Sequence, residues 1–150
     1  TGTEKWLCKD MSRSRSFNSS RAPEPVGPYP HAKRIGNLLF LSGVGPRKKG
    51  DKDIPGVTLA EKGEKLDYDI EVQCKAVFDN VRFILEDAGS SWSNLIDITV
   101  FLTNMNEDFS TFNRIYKDYF SDVQPCRTTV EVTALPTPIA IELKCIATIE

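Results

Sequence analysis

Apolar residues recur at three- and four-residue steps through Ile70, Cys74, Val77, Phe78, Val81, Ile84, Leu85 and Ala88. That spacing predicts one long amphipathic helix, with Gly89 as its C-terminal cap. A second stripe, Phe109, Phe112, Tyr116 and Tyr119/Phe120, predicts another helix over 107–120. Asn106 and Asp108 suit its first turn, where short polar side chains satisfy free backbone N–H groups. Between the two, "LIDITVFL" (95–102) is β-branched and apolar on both faces, so it reads as a buried strand. Earlier, "KRIGNLLFLSG" reads as a hairpin turning at Gly36-Asn37, with 38–41 as its second strand. "GPRKKGDKDIPG" (45–56) reads as loop. The chain closes with "PCRTTVEVTALPTPIAIELKCIATI" (125–149), two strand-like runs at about 127–133 and 139–149. A proline-studded turn joins them, and the pair reads as a hairpin.

The order is therefore strand, strand, helix, strand, helix, strand, strand. This is an α+β chain, with a mixed sheet carrying two helices on one face. Val130, Val132, Ile141, Leu143 and Cys145 exceed what two helices on one side can hide. A bare apolar face of that size predicts burial in a homo-oligomer.

Composition narrows the classes. A chain of 150 residues with 40% hydrophobic and 27% charged positions supports one globular domain. No apolar run approaches the ~20 residues that span a bilayer. The net charge of -2 offers no overall attraction to nucleic acid. Four cysteines (Cys8, Cys74, Cys126, Cys145) and one histidine, His31, lack the clustered spacing of a zinc site. Cys74 and Cys145 fall on apolar faces and read as buried thiols, which suits a reducing, cytoplasmic compartment. "MSRSRSFNSSR" (11–21) has the Ser/Arg-rich, acid-free look of a mitochondrial targeting segment. Because the chain continues upstream of it, residues 1–22 read instead as an N-terminal extension, and 23–150 as the domain.

Two residues sit oddly in the closing segment. Arg127 opens a strand, and Glu142 interrupts an otherwise apolar one. Taken singly, each has a plain reading: a solvated arginine, and a carboxylate paired with Lys144. Asn113 alone reads as helix surface, Tyr29 as a turn aromatic, His31 as structural or surface, and "PRKK" as solvated loop.

Five segments in order change that weighting: "VGPYPHA", "LFLSGVGP", "FDNVRFILEDAG", "TVFLTNMNEDFSTFNRIYKDYF" and "PCRTTVEVTALPTPIAIELKCIA". Together they resemble the Rid/YjgF family of small imine and enamine deaminases, over roughly 26–149. The resemblance implies a chorismate-mutase-like fold and a homotrimer around a central barrel. It also implies active sites at the subunit interfaces, with no metal or organic cofactor. The family's carboxylate-gripping arginine falls on Arg127, its water-associated glutamate on Glu142 and its motif tyrosine on Tyr29. Ser42, Gly43, Asn113 and Thr129 are the further substrate-binding positions. Val44 stands where many members have glutamine, and Thr129 where many have cysteine. Those departures, with the basic loop, resemble the 2-aminomuconate deaminase branch.

The chemistry fits the residue types. A planar guanidinium makes two parallel charge-assisted bonds to a carboxylate, so Arg127 would anchor a small acid. Glu142 would hold and polarise water or carry a proton to the leaving nitrogen. Tyr29 would wall the pocket, and Arg47, Lys48 or Lys49 would attract a second carboxylate. The leading expectation is a hydrolytic deaminase acting on 2-aminomuconate. The alternatives are a broad 2-iminoacid detoxifier, an RNA-binding or endoribonuclease protein, and a chaperone-like trimeric binding module. The acidic balance and the lack of an aromatic–basic reading motif count against RNA.

Overall fold

A computed structural model describes residues 13–150. Cys8 and the start of the Ser/Arg-rich stretch lie outside the described residues. Six strands form one sheet: β1 (Arg15–Phe17), β2 (Ala32–Ile35), β3 (Leu38–Leu41), β6 (Leu95–Leu102), β7 (Cys126–Glu131) and β8 (Ile141–Thr148). Their spatial order is β1-β2-β3-β8-β6-β7, and only the β6/β7 pair is parallel. A separate hairpin, β4 (Val57–Leu59) and β5 (Lys65–Tyr68), stands where no strand was expected. Two helices, α1 (Ile70–Asp87) and α2 (Met105–Phe120), cover one sheet face. Among the described residues, no helix is long and apolar enough to cross a membrane.

The predicted helix α1 has the expected ends. Asp69 caps its start by accepting from the Glu71 and Val72 N–H groups. Gly89, at φ +89°, takes the left-handed turn past its end, and the Ser90 N–H reaches back to the Leu85 carbonyl. For α2 the cap is Asn104, two residues ahead of the expected position, accepting from the Glu107 N–H at 3.2 Å. Asp108 is no cap. It turns inward, is buried, and accepts from the Tyr68 hydroxyl at 2.6 Å.

The closing hairpin is not a hairpin. β7 pairs in parallel with β6, and β8 pairs with the opposite edge of β6, so β6 lies between them. The strands were legible, but their partners were not. The nine residues 132–140, with Pro136 and Pro138, carry the chain across β6 instead of turning tightly. β6, α2 and β7 thus form a β-α-β unit that leaves β7 as the sheet's edge.

The covered face also differs from expectation. Ile141, Leu143 and Cys145 alternate onto the helix side and are fully buried with Ile98, Val100 and Leu102. Their alternates face away: Glu142, Lys144 and Ile146 on β8, and Thr99 and Phe101 on β6. Leu38, Phe40 and Val130 share that open face through their pairing with Thr148, Ile146 and Phe101. It is a mixed surface, with an apolar group on every strand from β3 to β7.

Part of the segment read as an extension is woven into the sheet. β1 is its first strand, Ser19 and Ala22 are buried, and Arg21 pairs with Asp87 at 2.7 Å and Glu86 at 3.3 Å. His31 is structural: its Nδ1 accepts from the Ser19 N–H and its Nε2 meets the Pro23 carbonyl, both at 2.8 Å. Cys74 and Cys145 are buried free thiols, each pushed up to about 12 by burial.

Candidate active site

The seven residues singled out by sequence fall into two separate groups. The first lies on β7 and α2. Arg127 pairs with Ile98 and Thr129 with Val100, both core-face positions, so both side chains point to the helix side. Arg127 Nη1 donates to Asn113 Oδ1 at 2.9 Å. Its guanidinium lies 4.6 Å from the Tyr116 ring centroid, 5.5 Å from Phe112 and 6.0 Å from Phe109. The α2 stripe read only as core thus also supplies an aromatic bed for the cation. No carboxylate is within ion-pair distance of Arg127 among the described residues. Thr129 Oγ1 and the Tyr116 hydroxyl are shielded from solvent without any hydrogen-bond partner. Burial pushes the Tyr116 hydroxyl up, partly offset by the charge of Arg127.

The second group lies at the end of β3 and on β8. Glu142 points to the open face, beside Phe101. A Cβ placed on Gly43 would stand 3.0 Å from Glu142 Oε2, so carboxylate and glycine are in contact. Ser42 Oγ donates to the Pro30 carbonyl at 2.7 Å. Tyr29, held in its turn by its N–H to the Gly27 carbonyl at 2.9 Å, lines a cleft with Ser42, Gly43 and Arg47. Glu142 makes no hydrogen bond and no ion pair among the described residues, although it is half-buried. Lys144, its suggested partner, donates to the Leu41 carbonyl instead. Desolvation without compensation raises the Glu142 carboxyl above its ordinary value of 4.5.

Arg127 and Glu142 therefore do not meet across one pocket, as a hairpin would have required. β6 separates their strands and they face opposite ways. Gly43 leads from β3, three strands from β7, which is about 14 Å at the usual strand spacing. The cleft beside Tyr29 holds only about 30 Å³, room for a water or two or for one end of a small acid, and not for a whole organic acid. One chain thus carries two separate arrangements: a cation with a neutral acceptor, and a destabilised carboxylate in contact with a glycine.

Comparison with known proteins gives a consistent family. A family model described as endoribonuclease L-PSP matches residues 19–149. The chain is 36% identical over 132 residues to Reactive Intermediate Deaminase A, chloroplastic, of Arabidopsis thaliana, covering 88% of this chain and 64% of that one. It is 30% identical over 141 residues to a 2-iminobutanoate/2-iminopropanoate deaminase of Dermatophagoides farinae, covering 93% and 100%. The crystal structure of the E. coli YjgF gene product superposes with a TM-score of 0.75 at 30% identity, covering 89% of this chain and 98% of that one.

Proposed function

The chain belongs to the L-PSP, or Rid/YjgF, family, and from that premise we propose that it is a hydrolytic deaminase of imine or enamine acids. The observation that carries this is the pair of incomplete half-sites. Each holds one of the two charged groups the reaction needs, and neither is neutralised inside its own chain. Two relatives bear deaminase names, one of them for 2-iminobutanoate and 2-iminopropanoate. Neither name is 2-aminomuconate, so the class carried forward is the imine or enamine acid in general.

The complete site forms between copies. A homotrimer around a central barrel would bury the open face, with Leu38, Phe40, Phe101, Val130 and Ile146 as its apolar part. The edge strand β7 of one copy would then bring Arg127 to Glu142 of the next. Arg127 takes the substrate carboxylate in its planar fork, and Asn113 with the aromatic bed keeps the fork aimed. Glu142, kept basic by desolvation, takes a proton from water as the oxygen bonds to the imine carbon. Glu142 returns that proton to the nitrogen, the hydroxyl proton of the adduct follows it, the C–N bond breaks, ammonia leaves, and the oxygen becomes the carbonyl of a 2-oxo acid. This reading sets the family's description as an endoribonuclease aside, because a net charge of -2 offers no overall attraction to nucleic acid.

Complementation tests the arrangement. Arg127→Ala and Glu142→Gln are each expected to keep only residual activity on imines generated in situ. Refolded together, they should regain roughly a quarter of the parent's sites, because half of each partner position is intact in a random closed ring. No recovery in a mixed oligomer shown by mass spectrometry would place both residues in one chain's site and overturn the proposal.

A further inference from the structure

Arg47 is the one member of the basic loop that enters the cleft. It lines the cavity with Tyr29, Ser42 and Gly43, of which Gly43 is in contact with Glu142. The loop backbone that carries it is fixed, not floppy. Asn80 on α1, itself only 5% exposed, donates through Nδ2 to the Gly45 carbonyl at 2.9 Å and the Arg47 carbonyl at 2.6 Å. Pro46 between them is buried. A buried amide spent on two loop carbonyls holds the backbone from which Arg47 projects.

The charge of Arg47 is left over. Its Nη2 donates to the Glu24 backbone carbonyl at 2.8 Å, and no carboxylate is within ion-pair reach among the described residues. The nearby Glu24 carboxylate is taken by Lys49 at 3.2 Å. Lys48 is exposed and outside the cleft. A guanidinium has five N–H donors in a rigid fork, and here one is engaged. Its remaining donors are free to bind an anion at the cleft.

We propose that Arg47 is a specificity residue that takes a second, distal carboxylate, so that the preferred substrates are imino or enamino diacids. This rests on the deaminase reading above. The near carboxylate belongs to Arg127 of a neighbouring copy, the reacting carbon lies by Glu142, and the far end reaches the cleft wall at Arg47. Two cations at the two ends of the site, with the catalytic carboxylate between them, select length as well as charge. A monoacid leaves Arg47 to solvent and gains nothing from it. The interaction is electrostatic and half-exposed, so it weakens with added salt.

The test compares 2-iminopropanoate and 2-iminoglutarate, made in situ from alanine and glutamate by amino-acid oxidases. The parent is expected to prefer the diacid in kcat/KM. Arg47→Ala should cut kcat/KM for the diacid roughly ten- to a hundredfold more than for the monoacid, the loss typical of one hydrogen-bonded charge. Arg47→Lys should recover part of it. In parallel, calorimetry with pyruvate and 2-oxoglutarate measures binding without turnover. The parent should bind the diacid more tightly, and Arg47→Ala should lose that margin. Equal losses on both acids, or no diacid preference in the parent, would overturn the role of Arg47 and leave the deaminase reading standing. If the parent is silent on both imines, the deaminase reading falls. The calorimetric margin then decides Arg47 alone: retained in Arg47→Ala, it overturns the assignment, and lost, it supports it.

Discussion

Two sets of partly or fully buried charge in this molecule are resolved in opposite ways. At the start of α2, Lys65 donates to Thr103 Oγ1 and the Ile139 carbonyl, both at 3.0 Å, and lies 4.7 Å over the Tyr68 ring. The Tyr68 hydroxyl in turn donates to buried Asp108. Burial lowers Lys65 and raises Tyr68 and Asp108, and each of the three has a hydrogen-bond partner inside the chain. Glu142, by contrast, has no hydrogen-bond or ionic partner among the described residues, Arg127 has only neutral Asn113 and aromatic rings, and the hydroxyls of Thr129 and Tyr116 on its side of the sheet have no hydrogen bond. A closed network fastens the β4–β5 hairpin to the helix layer. An open one is a site awaiting what completes it.

The largest difference between the two should appear on truncation. Arg127→Ala removes the anchor of a dehydrated carboxylate, a loss of ~2–5 kcal/mol, or roughly 30- to 4,000-fold in kcat/KM. Its folding stability should fall by only about 1 kcal/mol, the worth of a partly exposed cation–aromatic contact. Steady-state kinetics and urea unfolding on one preparation check both halves. A stability loss as large as the activity loss would make Arg127 a structural residue like Lys65. Glu142→Gln should abolish the acid limb of the pH profile. That limb lies above the ordinary carboxylate value because Glu142 works deprotonated and burial raises its pKa.

The closed network should give the reverse pattern. Tyr68→Phe leaves the Asp108 carboxylate without its donor, a cost of about 1–3 kcal/mol in stability, with kcat/KM little changed. The sign with pH is fixed by Asp108. Its folded-state pKa is raised, so burial penalises the charged form, and the Tyr68 hydroxyl offsets part of that penalty. The cost of Tyr68→Phe is therefore greatest above that pKa and shrinks in acid as Asp108 takes up a proton. Urea unfolding at about pH 7.5 and about pH 4 reads the difference. A larger cost in acid would show that Asp108 donates the bond instead.

The two regions were also unequally legible. Helix periodicity, the Gly36-Asn37 turn and the Gly89 cap are local signals, and each is where the sequence put it. The motifs named Arg127, Asn113, Tyr29, Gly43 and Glu142 without their geometry. Which strand pairs with which is non-local, so β7 and β8 passed for a hairpin and Arg127 and Glu142 for neighbours. The closed network was invisible for a similar reason. Asp108 looks like a helix cap and Lys65 like surface until the short β4–β5 hairpin, with little alternation in "VTL" or "KLDY", brings them together. Asn80, on the inner stripe of α1, gave no sign that it would pin the Arg47 loop.

The smallest change with a sharp consequence is at Gly43. Its backbone is not in the left-handed region, so what keeps it small is space: an added Cβ meets Glu142 Oε2 at 3.0 Å and Cδ at 3.1 Å. Those atoms are the free end of a side chain that nothing else holds, so Gly43→Ala is expected to fold and assemble like the parent. The carboxylate gives way by a few tenths of an ångström, and with it the water it aligns. A loss of about tenfold in kcat, or ~1.4 kcal/mol, is the scale for such a misplacement. The binding of a non-reacting 2-oxo acid should change less than turnover, because Arg127 still holds the carboxylate. The double variant Gly43→Ala/Glu142→Gln separates this from a general disturbance. If the methyl acts only by moving a working base, the double variant loses no more activity than Glu142→Gln alone, because the base it displaces is already disabled. Fully additive losses would mean that Gly43 matters to the site through its own backbone and not through Glu142.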